Sequence, residues 1–294
     1  MSIIRDLEEA DRSSLDAFLS DHVETSLFLR SNLRSAGIDY RSAEYQGEYI
    51  AAFDAAGDIR GVLVHYWNGN IMMQSPDMPI LRDLLDHFKG EARRPVAGVL
   101  GDNKQADYAL SQLGLSDAAF AMNQKEELYS LDLTYLQNPP PPAECQTCVV
   151  EAKDVPKTLL TSWMKAYNIE ALGAEDGDIL EGRVRSHVER LCEGANCWVL
   201  LVDDQPVSLS AFNARLPDTV QIGPVWTPPN YRNNRFARYL LAETLKSARL
   251  QGVEKAVLFT DEPAAAKAYR AIGFGEIGHF RLALLQEPMT LPVS

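Results

Sequence analysis

A run of four prolines divides the chain nearly in half and limits how it can fold. The run, Pro139–Pro142, lies in the segment YLQNPPPPAECQ. Proline fixes its own φ and has no backbone N–H, so consecutive prolines form a stiff extended segment that continues neither a helix nor a sheet. We therefore predict a semi-rigid linker over residues 136–146. The chain of 294 residues is long enough for a domain on each side of it, 1–135 and 147–294.

The two halves carry the same order of hydrophobic patterns. In the second half a short apolar run, TCVVEA, precedes two segments with helical spacing and then three strand-like runs that break at Asp203–Asp204 and Pro217–Asp218. A helix pattern, the strand KAVLFT, the short helix PAAAKAYRAIG and a last strand region follow. The first half shows this order more loosely. We predict an α/β fold, of the α+β type with a mixed sheet, present in two copies.

The charge of the chain limits its partners. A formal net charge of -13 argues against nucleic acid or an anionic membrane as the main partner, because both favour basic surfaces. A cationic small molecule suits this charge better. The start, MSIIRDLEEADRSS, has no apolar stretch behind a basic segment, and no run approaches the roughly 20 apolar residues of a membrane span. We expect a cytoplasmic protein, and the sequence leaves its oligomeric state open.

Four cysteines form two pairs with metal-ligand spacing. Cys145 and Cys148 make a C-x2-C pair, and Cys192 and Cys197 make a C-x4-C pair. Four thiolates at such spacing can hold a zinc ion. The alternative is a set of reduced, partly buried thiols, which is ordinary for a cytoplasmic protein. We favour the thiols and predict no metal.

An arginine-rich junction, TPPNYRNNRFAR, connects a strand pattern to a helix pattern in the second half. A helix N-terminus presents unpaired N–H groups and the positive end of the helix dipole, which together bind phosphate readily. Arg232, Arg235 and Arg238 add positive charge there. We predict a site for a di- or triphosphorylated cofactor. The alternative is a solvated helix start whose arginines offset acid elsewhere. The corresponding stretch of the first half, SPDMP, has no such cluster.

The strand before this junction contains Gly223–Pro224. Proline cannot donate to a strand ladder and lies in a central strand only at a bulge. Bulges separate neighbouring strands and free main-chain groups to meet a ligand. We therefore predict a bulge, and beside it a site for a long cofactor with an amide-bearing arm and a phosphate end.

These motifs resemble those of the GCN5-related N-acetyltransferase (GNAT) family over roughly residues 147–286. The family motif has Arg or Gln, two variable residues, Gly, one variable residue, and Gly or Ala. Here it reads Arg232, Asn233, Asn234, Arg235, Phe236 and Ala237, after a V-x-T-P-P-x-Y-R run. Arg235 replaces the first glycine. The later signature, a tyrosine followed closely by Gly-Phe, reads AAAKAYRAIGF, with Ala266 in place of a common asparagine.

The resemblance implies two tandem GNAT-like acyl-CoA N-acyltransferase domains, a degenerate first copy and a catalytic second copy. It implies acetyl-CoA as the cosubstrate and a primary amine of a small, cationic molecule as the acceptor. A mycothiol-synthase-like acetyltransferase is one alternative, since that enzyme also pairs a degenerate copy with an active one. A catalytically silent acyl-CoA-binding or interaction module is another, motivated by Arg235 and Ala266.

The resemblance also implies which residues contact the cofactor. The pantetheine arm would bond main-chain groups of Val225 and Thr227, and the Val225 amide, the first after Pro224, would polarise the thioester carbonyl. The pyrophosphate would bond the amides from Arg232 to Ala237. The full set of expected cofactor-binding residues is Val225, Trp226, Thr227, Arg232, Asn233, Asn234, Arg235, Phe236, Ala237 and Arg238.

The expected catalytic residues are Tyr269 and Glu170. Tyr269 is similar to the family residue that protonates the departing thiolate, although a tyrosine on a short helix can also be a core residue. Glu170 lies in the apolar setting WMKAYNIEAL and is the best candidate for acceptor contact or for the base. The loop beyond it is acidic, and a solvated face is the alternative for its carboxylates Glu175, Asp176, Asp178 and Glu181.

Arg235 replaces a glycine, and glycine is required where φ is positive or where a ligand approaches the backbone closely. We expect Arg235 to lie near or inside the first helical turn, where φ is negative and any residue fits. Its guanidinium would then bond a phosphate of CoA from the flank.

Overall fold

The element order β-α-α-β-β-β-α-β-α-β occurs twice in the computed structural model, which describes residues 3–142, 146–194 and 196–291. The first copy comprises β1 (Ile3–Asp6), α1 (Arg12–Ser20), α2 (Val23–Ala36), β2 (Gly47–Phe53), β3 (Ile59–Tyr66), β4 (Asn70–Gln74), α3 (Met78–Glu91), β5 (Val96–Asp102), α4 (Asn103–Gln112) and β6 (Phe120–Asp132). The second comprises β7 (Thr147–Glu151), α5 (Lys157–Leu172), α6 (Asp178–Glu193), β8 (Cys197–Val202), β9 (Gln205–Arg215), β10 (Thr219–Trp226), α7 (Phe236–Leu250), β11 (Lys255–Thr260), α8 (Pro263–Arg270) and β12 (Gly275–Met289). The predicted repetition is confirmed. The sequence patterns missed β1, which is only four residues long and largely exposed.

The chain forms two compact units whose limits differ from those of the two copies. The first unit is Met1–Leu128, Phe259–Asp261 and Glu276–Ser294, and the second is Tyr129–Leu258 and Glu262–Gly275. The predicted domains 1–135 and 147–294 place all of β12 with the second copy, whereas nearly all of it lies in the first unit. The reason is that β12 pairs antiparallel with β5, and hydrophobic patterns do not report which distant strand a strand pairs with.

In the first unit the strand order is β1-β2-β3-β4-β5-β12. The ladders are antiparallel except for β4 and β5, which are parallel. Alternation along β2 supplies a core on each face of the sheet, because successive side chains point to opposite sides. Tyr49, Ala51 and Phe53 pack with α1 and α2, while Ile50 and Ala52 pack with α3 and α4.

In the second unit the strand order is β11-β10-β9-β8-β7. Among the four ladders described for this order, β10 and β11 pair parallel and the other three are antiparallel. One core joins α5 and α6 to Val199, Leu209 and Trp226, and the other joins α7 and α8 to Phe212 and Ile222. The sheet therefore carries helices on both faces.

The described residues bear on the expectations of no membrane span and no metal. Within it, no helix combines the length and the apolar character needed to cross a membrane. Cys145 lies outside the described residues, and the other three cysteines are free thiols: Cys148 is exposed, Cys192 half-buried and Cys197 buried. No group of three or more His, Cys, Asp or Glu side chains in the described segments could hold a metal ion.

Glu126 is a buried carboxyl group on β6 in the first unit. Burial, together with the negative charge of Asp261, raises the pKa of Glu126 to about 7 from its ordinary 4.5. Between these two values the native state holds a proton that the unfolded chain has released. The free energy of unfolding should therefore fall as the pH rises through this window.

We predict that Glu126→Gln removes this pH dependence and stabilises the protein at about pH 8. A shift of this size corresponds to at most roughly 3 kcal/mol, measurable by urea unfolding at about pH 5 and pH 8. Glu127→Gln, at the adjacent position, is the control and should keep the wild-type pH dependence. An identical pH dependence in Glu126→Gln and the wild type would contradict the assignment.

Candidate functional site

The strand β10 separates from β11 part-way along its length. Their parallel register ends at Gln221↔Val257, while β10 continues to Trp226 paired with β9. The register with β9 shifts on both sides of Ile222, so the Gly223–Pro224 segment forms an irregularity in the ladder. The predicted bulge is confirmed. Beyond Gln221 the main-chain groups of β10 that face β11 have no partner in that ladder.

Buried polar side chains support the separated part of β10. The Gln221 amide nitrogen donates to the Ile222 carbonyl at 2.8 Å, and its buried Oε1 has no hydrogen-bond partner within the described residues. Ser208 is fully buried, and its hydroxyl lies 3.3 Å from the Trp226 carbonyl oxygen and 2.9 Å from the Thr227 hydroxyl. These contacts fix the end of β10 at the point where the arginine-rich junction begins.

The junction folds as a tight turn held by its own polar groups. A short 3-10 helix, Pro229–Tyr231, leads into it. The Asn234 side-chain amide donates to the carbonyl oxygens of Tyr231 and Arg232 at 3.2 and 3.1 Å. Asn233 takes a left-handed backbone conformation with φ of 65°. Asparagine tolerates this conformation better than most residues, so the sequence suits the turn.

The expectation of a negative φ at Arg235 is wrong. Arg235 is the N-cap of α7 and has φ of 64° and ψ of 12°, a left-handed conformation. The physical reason is that the chain passes at this residue from a turn with positive φ into the right-handed helix α7. Glycine carries no steric cost at such a position. For a residue with a Cβ, this conformation is less favourable by about 1–2 kcal/mol. The family motif has glycine at this position, and here an arginine adopts the left-handed conformation.

The start of α7 offers hydrogen-bond donors to an anion. The Tyr239 amide donates to the Arg235 carbonyl at 3.0 Å and closes the first turn. The amides of Phe236, Ala237 and Arg238 precede that bond and have no intrahelical acceptor. The Arg238 Nε is buried without a hydrogen-bond partner among the described residues. Free amides, the helix dipole and this guanidinium together favour a negatively charged ligand.

Arg232 and Glu170, predicted for different roles, form an ion pair. The Arg232 Nη1 lies 2.8 Å from Glu170 Oε1, and its Nε donates to the Thr227 carbonyl at 3.0 Å. The guanidinium carbon lies 5.0 Å from the centroid of the Trp226 ring. The structure therefore brings the first arginine of the motif to the helix α5, where Glu170 was expected to contact an acceptor.

Tyr269 lies on α8, half-buried against the core that α7 and α8 share. Its ring makes an edge contact with Phe274 at 6.1 Å between centroids. Burial, and to a smaller extent the nearby Tyr167, raises the pKa of Tyr269 above its ordinary value. The phenol therefore keeps its proton at neutral pH, as a proton donor must.

Tyr167 is a site residue that the sequence reasoning missed. It packs on the face of the sheet that carries α5, and its ring makes an edge contact with Trp226 at 6.2 Å between centroids. Tyr269 packs with the core on the opposite face, and Tyr167 contributes to the raised pKa of Tyr269. The signal available in the sequence was its position three residues before Glu170, which places both on one face of α5.

The acidic loop after α5 is held by a lysine. The Lys165 Nζ lies 2.7 Å from Asp176 Oδ1 and 3.1 Å from Glu181 Oε1. These two carboxylates raise the pKa of Lys165. Lys165 of α5 thus links to the loop through Asp176 and to α6 through Glu181.

Comparison with known proteins gives the family context of this geometry. Residues 159–274 match the family model described as Acetyltransferase (GNAT) family. This match supports the GNAT acetyltransferase family. The matched region includes the bulged strand, the turn before α7 and Tyr269. Members of this family transfer acyl groups from acyl-CoA, so the match indicates an acyltransferase. No curated protein matches the chain.

Solved GNAT structures resemble the chain over its whole length. A GCN5-related N-acetyltransferase from Sphaerobacter thermophilus has a TM-score of 0.59 at 14% identity and covers 100% of this chain and 98% of its own. A tandem GNAT protein from the clavulanic acid biosynthesis pathway has a TM-score of 0.57 at 12% identity, with coverage of 99% and 100%. A GNAT-family acetyltransferase from Colwellia psychrerythraea has a TM-score of 0.52 at 14% identity, with coverage of 97% and 100%. At these identities the likeness shows the fold, and the predicted tandem GNAT fold is confirmed.

We predict that Arg235→Gly is more stable than Arg235→Ala by about 1 kcal/mol. Both substitutions remove the guanidinium, and only glycine removes the clash of Cβ in the left-handed conformation. Chemical denaturation of the two variants measures the difference. An alanine variant as stable as the glycine variant would mean that the turn does not hold Arg235 at positive φ in solution.

Proposed function

We propose that the protein is an N-acetyltransferase that moves the acetyl group of acetyl-CoA to a primary amine of a small, cationic acceptor. The observation that carries the proposal is the early end of the β10–β11 ladder at Gln221↔Val257, beside a helix that starts with unpaired amides. A strand edge with free main-chain groups suits an extended amide-bearing arm, and the helix start suits a pyrophosphate. Acetyl-CoA has both parts.

The cofactor contacts follow from these two features. The pantetheine arm bonds main-chain groups of Val225 and Thr227 at the unpaired edge of β10. The pyrophosphate bonds the amides of the turn and of the first turn of α7, from Arg232 to Ala237. Arg238 supplies a half-buried positive charge near the same helix start, with its Nε buried. Arg235 is exposed and contributes its charge from the flank.

The chemistry is a direct transfer. The neutral amine attacks the thioester carbonyl carbon, the C–S bond breaks, and the sulfur leaves as a thiolate. The Val225 amide stabilises the negative charge that develops on the carbonyl oxygen. The Tyr269 phenol, which keeps its proton at neutral pH, protonates the thiolate. Glu170 contacts the acceptor or takes up the proton that the amine loses.

We propose that the first copy does not bind acetyl-CoA in the corresponding place. There the helix α3 is capped by Asp77, whose carboxylate accepts from the Ile80 amide at 3.3 Å. A carboxylate at a helix start accepts a hydrogen bond from a free amide of the first turn, and its negative charge repels a phosphate. The Ser75 amide is also taken, since it donates to Gln105 Oε1 at 2.7 Å in a buried position. The second copy therefore carries the proposed activity.

We predict that acetyl-CoA raises the melting temperature of the full chain in a concentration-dependent way, because a ligand that binds only the native state stabilises it. Release of free thiol from acetyl-CoA, measured with a panel of primary amines, tests transfer. A thermal shift without thiol release for any amine would favour the catalytically silent module. A folded protein with no shift at millimolar acetyl-CoA would refute the proposal.

We predict that Tyr269→Phe lowers turnover by roughly 10²-fold or more with little change in acetyl-CoA affinity. The substitution keeps the ring and its contact with Phe274 and removes only the hydroxyl. Tyr135→Phe is the control, because Tyr135 is 70% exposed and lies outside the proposed site. A loss of acetyl-CoA affinity with turnover intact would make Tyr269 a binding or packing residue.

A further inference from the structure

Three groups around Arg232 form a position that suits a cation. They are the carboxylate of Glu170, the carbonyl oxygen of Thr227 and the indole face of Trp226. We call these three groups together the Trp226 corner. A carboxylate and a carbonyl accept hydrogen bonds from a charged N–H group, and an aromatic face attracts a cation. The Arg232 guanidinium meets all three, at 2.8 Å, 3.0 Å and 5.0 Å from the ring centroid.

Arg232 can leave this corner at little cost in free energy, so that another cation can replace it. The side chains of Arg232 and Glu170 are 37% and 51% exposed, and an ion pair with that exposure contributes little to stability. Arg232 is also the first residue of the stretch whose amides we propose for the pyrophosphate. A pyrophosphate carries more negative charge than one carboxylate and accepts the same hydrogen bonds, so it competes well for the guanidinium.

We propose that Arg232 occupies, in the nucleotide-free protein, the position of a positively charged group of the acceptor. A bound pyrophosphate draws Arg232 away, and the Trp226 corner then takes the cationic group. This inference rests on the proposed function for the identity of the phosphate ligand. It deepens that function by assigning Glu170 and Trp226 to acceptor recognition.

The assignment narrows the class of acceptor. The nitrogen that attacks the thioester must be neutral, whereas the group held by Glu170 and the Trp226 ring is charged. One nitrogen cannot serve both needs at once. The acceptor is therefore a molecule with a primary amine and a second, separate cationic nitrogen, such as a diamine or an amine that carries a guanidinium group.

The indole N–H of Trp226 provides an NMR signal that reports on binding of a cation at the Trp226 corner. Its side chain is 5% exposed, and its Nε1–H has no hydrogen-bond partner among the described residues. The chemical shift of this indole N–H in a ¹H–¹⁵N NMR spectrum responds to a cation placed on the ring. The signal is assigned by its loss in Trp226→Phe.

The test titrates n-butylammonium into the full-length protein, with n-butanol as the neutral control probe. In Arg232→Ala the corner is vacated, so butylammonium should shift the Trp226 signal in a saturable way, with an affinity at least tenfold higher than in the wild type. The double variant Arg232→Ala, Glu170→Gln should lose most of this affinity. Arg183→Ala, which removes an exposed arginine of α6, should behave as the wild type.

A second titration adds CoA, which cannot be turned over, to the wild-type protein. CoA should raise the butylammonium affinity of the wild type toward that of Arg232→Ala. Equal affinities of the nucleotide-free wild type and Arg232→Ala, or of the single and double variants, would overturn the inference. If CoA fails to bind, the proposed function fails, while the Arg232→Ala titration still decides whether the corner binds a cation.

Discussion

The loss of hydrogen bonding between β10 and β11 is the constraint on which the candidate site depends. A parallel pair that stayed in register to its end would leave no free main-chain groups in the middle of a sheet. The irregularity at Gly223–Pro224 ends the pairing early, and the fold tolerates it because Ser208 and Gln221 provide buried hydrogen bonds around it. Because of this one interruption, the main-chain groups of β10 beyond Gln221 do not pair with β11. The position of the turn before α7 follows from the same interruption.

The turn before α7 holds a non-glycine residue, Arg235, in a left-handed conformation. Glycine is the least costly residue at positive φ, and here an arginine holds that conformation. Strain of this kind persists where the surrounding structure fixes the backbone, and such positions concentrate at functional sites. The bonds from Asn234 to Tyr231 and Arg232, together with the first turn of α7, supply that fixation.

The sequence predicted the parts of the structure that depend on local chemistry. The proline in β10 predicted the irregular ladder, and apolar spacing predicted the helices, since both effects act within a few residues. The sequence did not predict the φ of Arg235, which depends on the direction in which the chain enters α7. It also missed the contact of Arg232 with Glu170 and the contact of Tyr167 with Trp226. Glu170 and Tyr167 lie on α5, about 60 positions before the turn, and the packing of α5 on the sheet brings them close to it.

The pairing of β12 with β5 has a consequence for how the chain is made. β5 is complete when residue 102 has been synthesised, but its antiparallel neighbour consists of residues 275–289. A ribosome must therefore synthesise the chain as far as β12 before the strands of the first unit are closed on that side of β5. Until then β5 presents an open edge of unpaired backbone groups, the surface on which nascent chains associate with one another or with chaperones.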